Sequence, residues 1–345
     1  MTVATETLSQ LELQTRGDEA LELVRANQAA IHDEVRVETL DREFPSYAQL
    51  LGKDGVYLAH FHENDAGSFK WRGAAVGMQA LLERGATSFI VPSAGNHARG
   101  AVWAASQLDV PVTVVVPGSA PHIKREGIRE LWHSPKLAIK VVGDTFDEAF
   151  SWASEQTSGT LLHPYGDDVI PGQGTVVDDI LALRPDVSTI VTPIGGGGLV
   201  AGILSRLQEL NRTDIHVLGA EAEGSDSMSN SFTAGELAGA TRPNLRYGGS
   251  AVRLVGATAF EYCRYSPNFT LLPVPDADVA SLIDYYDTDR RETHRDRYEN
   301  LEPTSLVAVA ALRQQLHRGT TVIVGTGHND SLYPTSLKQP YRLGV

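Results

Sequence analysis

A lysine between two aromatic residues is the first feature of this sequence that suggests chemistry. Lys70 stands between Phe69 and Trp71 in the segment GSFKWRGA (67–74), close to the predicted start of a helix. An amine that aromatic neighbours shield from water loses its charge more readily and becomes a usable nucleophile. Most lysines are simply solvated, so this local context is what makes Lys70 a candidate for covalent catalysis.

Four consecutive glycines, Gly195 to Gly198, form a second candidate site between an apolar run and a helical pattern. A backbone without side chains can turn sharply and aim several N–H groups at one point, and the following helix N-terminus favours an anion. The dinucleotide pattern G-x-G-x-x-G fails because its sixth position is Val200, and no Gly-Lys-Ser/Thr follows as a P-loop requires. The segment therefore predicts a phosphate site for another kind of ligand.

A third candidate is the loop that joins the apolar run at 88–93 to a small-residue helix at 96–108. Ligands of open α/β sheets bind at the carboxyl ends of strands, where this loop is expected to lie. Its backbone N–H groups can hold a carboxylate, and the Asn96 amide can donate to an aromatic oxygen. The loop residues are Ser93, Ala94, Gly95, Asn96 and His97.

Apolar, β-branched runs alternate with predicted helices of about 12 residues along most of the chain. Such an alternation indicates an α/β fold with parallel sheets covered by helices on both faces. The pattern also predicts an outer helix over 21–35. Residues 224–250 are rich in Gly, Ser and Asn, and predict a long loop. The charged stretch at 289–300 predicts a solvated helix face.

The composition limits the class of protein. The 345 residues include 43 acidic and 29 basic side chains, a formal charge of −14, which argues against nucleic-acid and anionic-membrane surfaces. The single cysteine, Cys263, excludes an internal disulfide. No apolar run is long enough to span a bilayer, and the N-terminus does not resemble a targeting peptide. We expect a cytoplasmic protein with a small-molecule ligand.

Four ordered motifs resemble those of the fold type II pyridoxal-phosphate enzymes, the tryptophan synthase β superfamily, and within it the threonine/serine dehydratase group. The resemblance covers residues 50 to 330. It implies a two-lobed α/β fold with a large cofactor-binding domain (1–86 and 169–345), a small mobile domain (87–168) and a homodimer. The motifs are GSFKWRGA, SAGNHARG, HPYGDDVIPGQGT and PIGGGGLVAG.

The resemblance also implies a role for each matching residue. Lys70 would form the Schiff base with pyridoxal 5'-phosphate and later act as general base. Asn96 would bind the phenolic oxygen of the cofactor, Thr326 would face its pyridine nitrogen, and Glu302 would lie close to its ring. The cofactor phosphate would be held by Gly195, Gly196, Gly197, Gly198 and Leu199, and the substrate carboxylate by Ser93, Ala94, Gly95, Asn96 and His97.

The implied reaction is a β-elimination by an ammonia-lyase or dehydratase. A hydroxyl or similar group would leave an amino acid, and the resulting aminoacrylate would hydrolyse to a 2-oxo acid and ammonia. A neutral hydroxyl opposite the pyridine nitrogen gives a weaker electron sink than a carboxylate, which favours elimination over transamination. Ala94 replaces the second serine of serine racemase, which disfavours racemisation.

Other outcomes stay open at this point. The pattern in 224–256 departs from that of dehydratases, and Thr326-Gly327-His328 is closer to threonine synthase. β-Replacement, a threonine synthase-like reaction or a diaminopropionate-type reaction in a specialised biosynthetic pathway are therefore alternatives, as is a binding protein without catalysis. At the family's divalent-cation position, Glu221 matches but Ser227 stands where a second carboxylate is usual, so no metal is predicted.

Overall fold

The computed structural model describes residues 16–31, 33, 35–40, 55–293, 301–314 and 319–328. Two sheets organise this part of the chain, and helices pack around both of them. The strands are β1 (Arg36–Thr39), β2 (Val56–His60), β3 (Phe89–Pro92), β4 (Val112–Val116), β5 (Leu137–Val141), β6 (Thr160–Leu161), β7 (Val187–Pro193), β8 (His216–Ala222), β9 (Phe269–Val274) and β10 (Thr320–Gly325).

The helices fill the intervals between the strands. They are α1 (Arg16–Gln28), α2 (Lys70–Glu83), α3 (Asn96–Leu108), α4 (His122–Arg129), α5 (Phe146–Ser154), α6 (Ile170–Gly174), α7 (Val176–Leu183), α8 (Gly198–Glu209), α9 (Ser227–Ala234), α10 (Ala257–Tyr265), α11 (Asp276–Thr293) and α12 (Pro303–Ala311), with 3-10 turns at Leu245–Ser250 and Leu312–Gln314.

The larger sheet has six strands in the order β1-β2-β10-β7-β8-β9. All neighbours are parallel except β1, which runs antiparallel to β2 at the edge. Successive residues of one strand enter the cores on opposite faces: Leu58 belongs to one buried cluster and Ala59 to the other. Both faces are therefore covered, which explains why the strands are almost continuously apolar.

The smaller sheet has four parallel strands in the order β5-β4-β3-β6. Its strands fall within 89–161, inside the range predicted for the small domain, although the exact domain boundaries stay a prediction. Val91 and Ile90 face different buried clusters, so this sheet is also covered on both faces. The predicted α/β class with parallel-rich sheets is confirmed.

Three local predictions differ from the structure or lie outside the described residues. The outer helix expected over 21–35 spans Arg16–Gln28 instead. The expected loop at 224–250 contains helix α9 and a 3-10 turn. Helix α9 has a polar sequence without apolar periodicity, and the carboxylate of Glu221 holds its first N–H groups instead. Of the charged stretch 289–300, residues 294–300 lie outside the described residues. Among the described helices, none combines the length and apolar character needed to cross a membrane.

Candidate active site

The candidate site residues follow the carboxyl ends of strands from both sheets. Lys70 comes after β2, the Ser93–His97 loop after β3, the tetraglycine after β7 and Thr326 after β10. The motif HPYGDD begins at His163, directly after β6. Parallel strands deliver their carboxyl ends to one edge, where loops can form a ligand site. The fold thus explains why residues far apart in sequence converge here.

Lys70 begins helix α2, and its amine is largely withdrawn from water. Its Nζ donates a hydrogen bond to the carbonyl oxygen of Pro164 at 3.2 Å and lies 4.9 Å from the ring centre of Phe69. Burial lowers the pKa of Lys70 to about 8, an effect that the negative charge of Glu302 partly opposes. A substantial fraction of the amine is therefore neutral near pH 8, as a nucleophile or general base requires.

The turn before Lys70 is shaped by Asn64. Its side-chain oxygen accepts hydrogen bonds from the N–H groups of Gly67 at 2.9 Å and Ser68 at 3.4 Å. Gly67 has a φ of +74°, and an added Cβ would collide with the ring of His328. The Ser68 hydroxyl in turn accepts from the backbone N–H of Lys70 at 3.3 Å. These contacts orient the backbone from which the lysine side chain projects.

The tetraglycine forms a cradle of backbone N–H groups at the start of helix α8. The hydrogen bonds within the described part of the chain use none of the N–H groups of Gly195, Gly196 and Gly197, and Gly198 begins the helix, where N–H groups lack helical partners. Leu199 follows in the first turn. A buried set of unpaired N–H groups at a helix N-terminus is a site for an anion such as phosphate.

Side chains are excluded from this cradle by close neighbours. An added Cβ on Gly195 would collide with the carbonyl of Gly249, and one on Gly196 with the ring of Tyr165. At Gly198 it would come within 2.7 Å of Oε1 of Gln173. A single tight turn would need only one glycine, at Gly197, whose φ is +86°. The other glycines are therefore explained by the close packing around the cradle, which leaves the backbone as its lining.

The loop between β3 and α3 offers a second set of N–H groups, with fewer available than the sequence predicts. The N–H of Ser93 already donates to carbonyl oxygens within the sheet, and that of Gly95 donates to the Ser93 hydroxyl at 3.2 Å. The N–H groups of Ala94, Asn96 and His97 remain, the last two in the first turn of α3. They suit a carboxylate for the same reason as the tetraglycine suits phosphate.

The ring of His97 supports this loop and is uncharged. Its Nε2 lies 3.0 Å from the carbonyl oxygen of Leu162 and must donate to it. Burial lowers the pKa of His97 to about 3, and the positive charge of Lys70 lowers it further in the same direction. The backbone N–H of His97 is the group left to bind a ligand, while its ring joins α3 to Leu162, the residue after β6.

Glu302 links two other predicted cofactor residues, Asn96 and Thr326, into one network. Its carboxylate accepts from Nδ2 of Asn96 at 2.8 Å and from the Thr326 hydroxyl at 2.9 Å. The Thr326 hydroxyl also lies 3.0 Å from that of Ser305. Burial raises the pKa of Glu302, and the bonds from Thr326 and Asn96 oppose that rise. The structure thus brings Lys70, Asn96, Glu302 and Thr326 together.

Two residues that received no role from the sequence lie between Lys70 and the tetraglycine. The ring of Tyr165 covers Gly196, and the ring of His163 meets it edge-on, with centroids 4.4 Å apart. Burial lowers the pKa of His163 to about 4, and the charge of Lys70 acts in the same direction. The signal that points to these residues is their position in HPYGDD, directly after strand β6.

Glu221, the one match to a divalent-cation position, serves helix α9. Its oxygens accept from the N–H groups of Met228 at 2.6 Å and Ser229 at 2.8 Å, and from the Ser229 hydroxyl at 2.6 Å. Asp226, the nearby carboxylate, accepts from the N–H and hydroxyl of Thr241. Both carboxylates therefore have structural partners within the chain.

A partly buried lysine with a lowered pKa, beside an N–H cradle on a two-sheet α/β frame, is the arrangement expected of enzymes that bind a phosphorylated aldehyde cofactor through a lysine. The comparison with protein families agrees: the description "Pyridoxal-phosphate dependent enzyme" applies to the family that matches residues 38–327. The chain belongs to this family, and pyridoxal phosphate is its cofactor. The cradle and the lysine fit the phosphate and the aldehyde of that molecule.

Within this family, the chain is similar to proteins named as threonine dehydratases or threonine deaminases. The chain is 32% identical over 288 residues to the biosynthetic L-threonine dehydratase of Burkholderia multivorans, covering 80% of this chain and 55% of that protein. It is 32% identical over 270 residues to the catabolic L-threonine dehydratase of Staphylococcus aureus, covering 77% and 75%. The processed threonine deaminase isoform 2 of Solanum lycopersicum superposes with a TM-score of 0.73 at 26% identity, covering 90% of each chain.

Proposed function

We propose that this protein is a pyridoxal-phosphate-dependent lyase that removes a β-substituent, a hydroxyl or similar group, from an amino acid and yields a 2-oxo acid and ammonia. The observation that carries the proposal is the partly buried amine of Lys70, whose pKa is lowered to about 8, beside two sets of backbone N–H groups. The named activity of the threonine dehydratase relatives supports the same reaction. The chain spans 55% of the length of the first of these relatives.

Each part of the site has a task in this reaction. When bound, pyridoxal phosphate supplies an electron sink for negative charge at the α-carbon of the substrate. Lys70 removes the α-proton as general base, since its lowered pKa leaves part of it neutral. The tetraglycine N–H groups hold phosphate, and those of Ala94, Asn96 and His97 hold the carboxylate of the amino acid. The two anions are thus bound without a cationic side chain.

The opposite face of the substrate lacks a second acid or base in this loop. Ala94 has no group that could deliver a proton there. Lys70 is then the residue that exchanges the α-proton, which favours elimination over inversion of the α-carbon. Around Lys70, the rings of His163 and Tyr165 are partly buried and reduce the access of water. A drier site strengthens the hydrogen bonds that orient the substrate.

Several finer properties belong to the same proposal. We infer a cytoplasmic homodimer that acts on a small amino acid. The single cysteine is consistent with a reducing compartment, and dimers are usual in the enzyme group that the sequence resembles. Threonine and serine are the first candidate substrates, because the relatives are named for threonine.

The deciding experiment is product analysis of the purified holoenzyme with L-threonine and L-serine. We expect equal amounts of 2-oxo acid and ammonia, and we expect Lys70→Ala to lose both products and the visible absorbance of the bound cofactor. Ser93→Ala is the comparison and should lose less activity, because the Ser93 hydroxyl accepts from the Gly95 N–H and supports the loop rather than the bond-breaking step.

A second set of reactions separates elimination from replacement. The same substrates, with an added thiol or amine, should still give oxo acid and ammonia if elimination is the native outcome. A new β-substituted amino acid that forms at the expense of oxo acid would favour β-replacement. A colourless preparation that takes up no pyridoxal phosphate would favour a binding protein without catalysis.

A further inference from the structure

Asp33 is a buried carboxylate that lies ahead of the family match at 38–327 and contacts both sides of the Lys70 segment. One oxygen accepts from Nη2 of Arg72 at 2.6 Å, and the other accepts from Nδ2 of Asn64 at 3.1 Å. Arg72 lies two residues after Lys70, and Asn64 lies six before it. A single residue from the N-terminal segment therefore holds both flanks of the lysine.

The first branch of this contact leads through Asn64 to the turn before the lysine. The amide nitrogen of Asn64 that binds Asp33 also reaches the carbonyl oxygens of Phe61 at 3.1 Å and Ser68 at 3.3 Å. Its oxygen receives the N–H groups of Gly67 and Ser68. Asp33 thus fixes the orientation of the Asn64 side-chain amide, whose nitrogen and oxygen both form hydrogen bonds with the turn before Lys70.

The second set of contacts connects Asp33 through Arg72 to the first turn of helix α2. The fully buried guanidinium of Arg72 donates to Asp33 and to Oδ2 of Asp179 in α7, each at 2.6 Å. It also lies 5.1 Å from the ring centre of Phe61. Without Asp33, the buried Arg72 guanidinium would keep Asp179 as a carboxylate partner but lose half of its charge compensation, which is costly for a buried charge. The start of α2 is therefore anchored at a fixed place.

We propose that Asp33 is a positioning residue for Lys70, which sets the direction of its amine by holding the turn before it and the helix after it. This inference rests on the proposed role of Lys70. It assigns a part of the catalytic apparatus to the N-terminal segment, outside the stretch that the family match covers. Asp33 touches neither substrate nor cofactor in this account and acts through Asn64 and Arg72.

The chain provides a matched control in a second buried ion pair. Arg206 donates to Asp178 at 2.8 and 3.0 Å, and the two side chains are 5% and 9% exposed. This pair joins α8 to α7 and has no contact with the turn at 64–70. Asp178→Asn therefore removes a similar charge from a similar pair and reports the stability effect alone.

The experiment compares Asp33→Asn, Asp33→Glu and Asp178→Asn in the full-length protein. For Asp33→Asn we expect kcat to fall about 100-fold with little change in KM, because a misplaced catalytic group costs that order of rate. The rate at which added pyridoxal phosphate develops visible absorbance with cofactor-stripped protein should fall in parallel. Asp178→Asn should keep both rates close to wild type, even where its resistance to urea is equally reduced.

The variants also distinguish positioning from folding. Asp33→Glu keeps the charge and should recover part of the rate, and it stands in for Asp33→Asn if that variant does not fold. If Asp33→Asn and Asp178→Asn lose activity only in proportion to their loss of stability, the inference is wrong. If Lys70→Ala keeps the cofactor absorbance, the proposed function fails first. If Lys70→Ala loses it while Asp33→Asn matches Asp178→Asn, only the role of Asp33 fails.

Discussion

The amine of Lys70 is the residue-scale feature on which the account depends. It sits in a partly buried position with one carbonyl partner, and its pKa is lowered to about 8 mainly by burial. The neighbouring histidines His97 and His163 are uncharged for the same reason, so they add no positive charge beside it. The opposing influence comes from Glu302, whose negative charge favours the protonated lysine.

The lowered pKa of Lys70 leads to a prediction about pH. Only the neutral amine attacks the aldehyde of the cofactor, and its fraction rises with pH through the pKa. The rate at which pyridoxal phosphate gains visible absorbance with cofactor-stripped protein should therefore rise to a plateau with a midpoint of about 8. Stopped-flow measurements between pH 6 and pH 11 check this. A midpoint near the ordinary lysine value of about 10.4 would show that the amine is not desolvated.

Gly196 supports a second prediction at the residue scale. A methyl group there would collide with the ring of Tyr165 and push it away from the cradle. We expect Gly196→Ala to weaken the binding of pyridoxal phosphate at least tenfold, which corresponds to about 1.4 kcal/mol. The binding is measured by titration of cofactor-stripped protein.

Gly239→Ala is the control, because its added methyl would meet only the Arg253 carbonyl, at 3.6 Å, and its backbone is not left-handed. It should bind the cofactor like wild type. If Gly196→Ala also binds normally, the tetraglycine does not act as a closely packed cradle.

At the scale of elements, apolar pattern was enough to locate the framework. The run STIVTPI at 188–194 predicts a strand that the structure has at Val187–Pro193, and the small-residue helix at 96–108 agrees with Asn96–Leu108. These elements are buried on both faces or packed tightly, so an apolar or small-residue run in the sequence marks their position directly. The strand-to-helix junctions that carry the N–H groups could be placed for the same reason.

Helix α9 and the Glu302 network could not be predicted from pattern. Helix α9 depends on a carboxylate from strand β8, so its own residues carry little apolar signal. Glu302 and Asn96 are separated by 206 positions and meet at 2.8 Å only after the two sheets have packed. Sequence resemblance suggested that both lie near the cofactor, whereas the bond between them required the tertiary structure.

The contacts of Glu221 with the first turn of α9 predict that removing its carboxylate lowers the stability of the protein and does not affect metal binding. Glu221→Ala removes the acceptor for two backbone N–H groups and one hydroxyl, which leaves partly buried donors unpaired. We expect the free energy of unfolding to fall by about 1–3 kcal/mol, measured by urea denaturation. Glu261→Ala, on the exposed face of α10, should change it little.

The same measurement tests whether a cation belongs at Glu221. Adding Mg²⁺ or a chelator should leave the stability of the wild-type protein unchanged, because the carboxylate oxygens already have partners. A magnesium-dependent increase that disappears in Glu221→Ala would contradict this interpretation.

At the scale of the whole molecule, the regions of the two sheets share a buried apolar cluster in which helices α2 and α3 pack together, and polar contacts join the same regions elsewhere. Asn96 reaches Glu302, Thr258 donates to Asp167 at 2.5 Å, and Arg253 pairs with Asp147 at 2.6 Å. The first contact lies inside the candidate site, whereas the side chains of Arg253 and Asp147 are 75% and 53% exposed. We therefore expect the first contact to affect catalysis and the exposed ion pair to contribute little to either catalysis or stability.

The exposed pair should contribute little, since water and salt screen it. We expect Asp147→Ala to change the free energy of unfolding by less than about 1 kcal/mol and to leave turnover intact. Glu126→Ala, which breaks an exposed pair with Arg129 within α4, is the comparison. A large loss of turnover in Asp147→Ala alone would mean that the outer contact controls how the two regions approach.

The whole molecule is acidic, with a formal charge of −14, and yet it binds an anionic cofactor and an anionic amino-acid carboxylate in this account. Under the proposed function, backbone N–H groups at two helix starts account for this binding, because they offer local positive potential without a basic side chain. The surplus of acidic groups disfavours polyanions as partners, whereas small anions stay compatible with it.

The most direct test of the central claim is to incubate the holoenzyme and its Lys70→Ala variant with L-threonine and L-serine while following cofactor absorbance and oxo-acid formation together. We expect the wild-type protein to have the visible absorbance and to release oxo acid with an equal amount of ammonia, and we expect the variant to have neither property. A Lys70→Ala variant that keeps the absorbance and turns over at the wild-type rate would contradict the central claim.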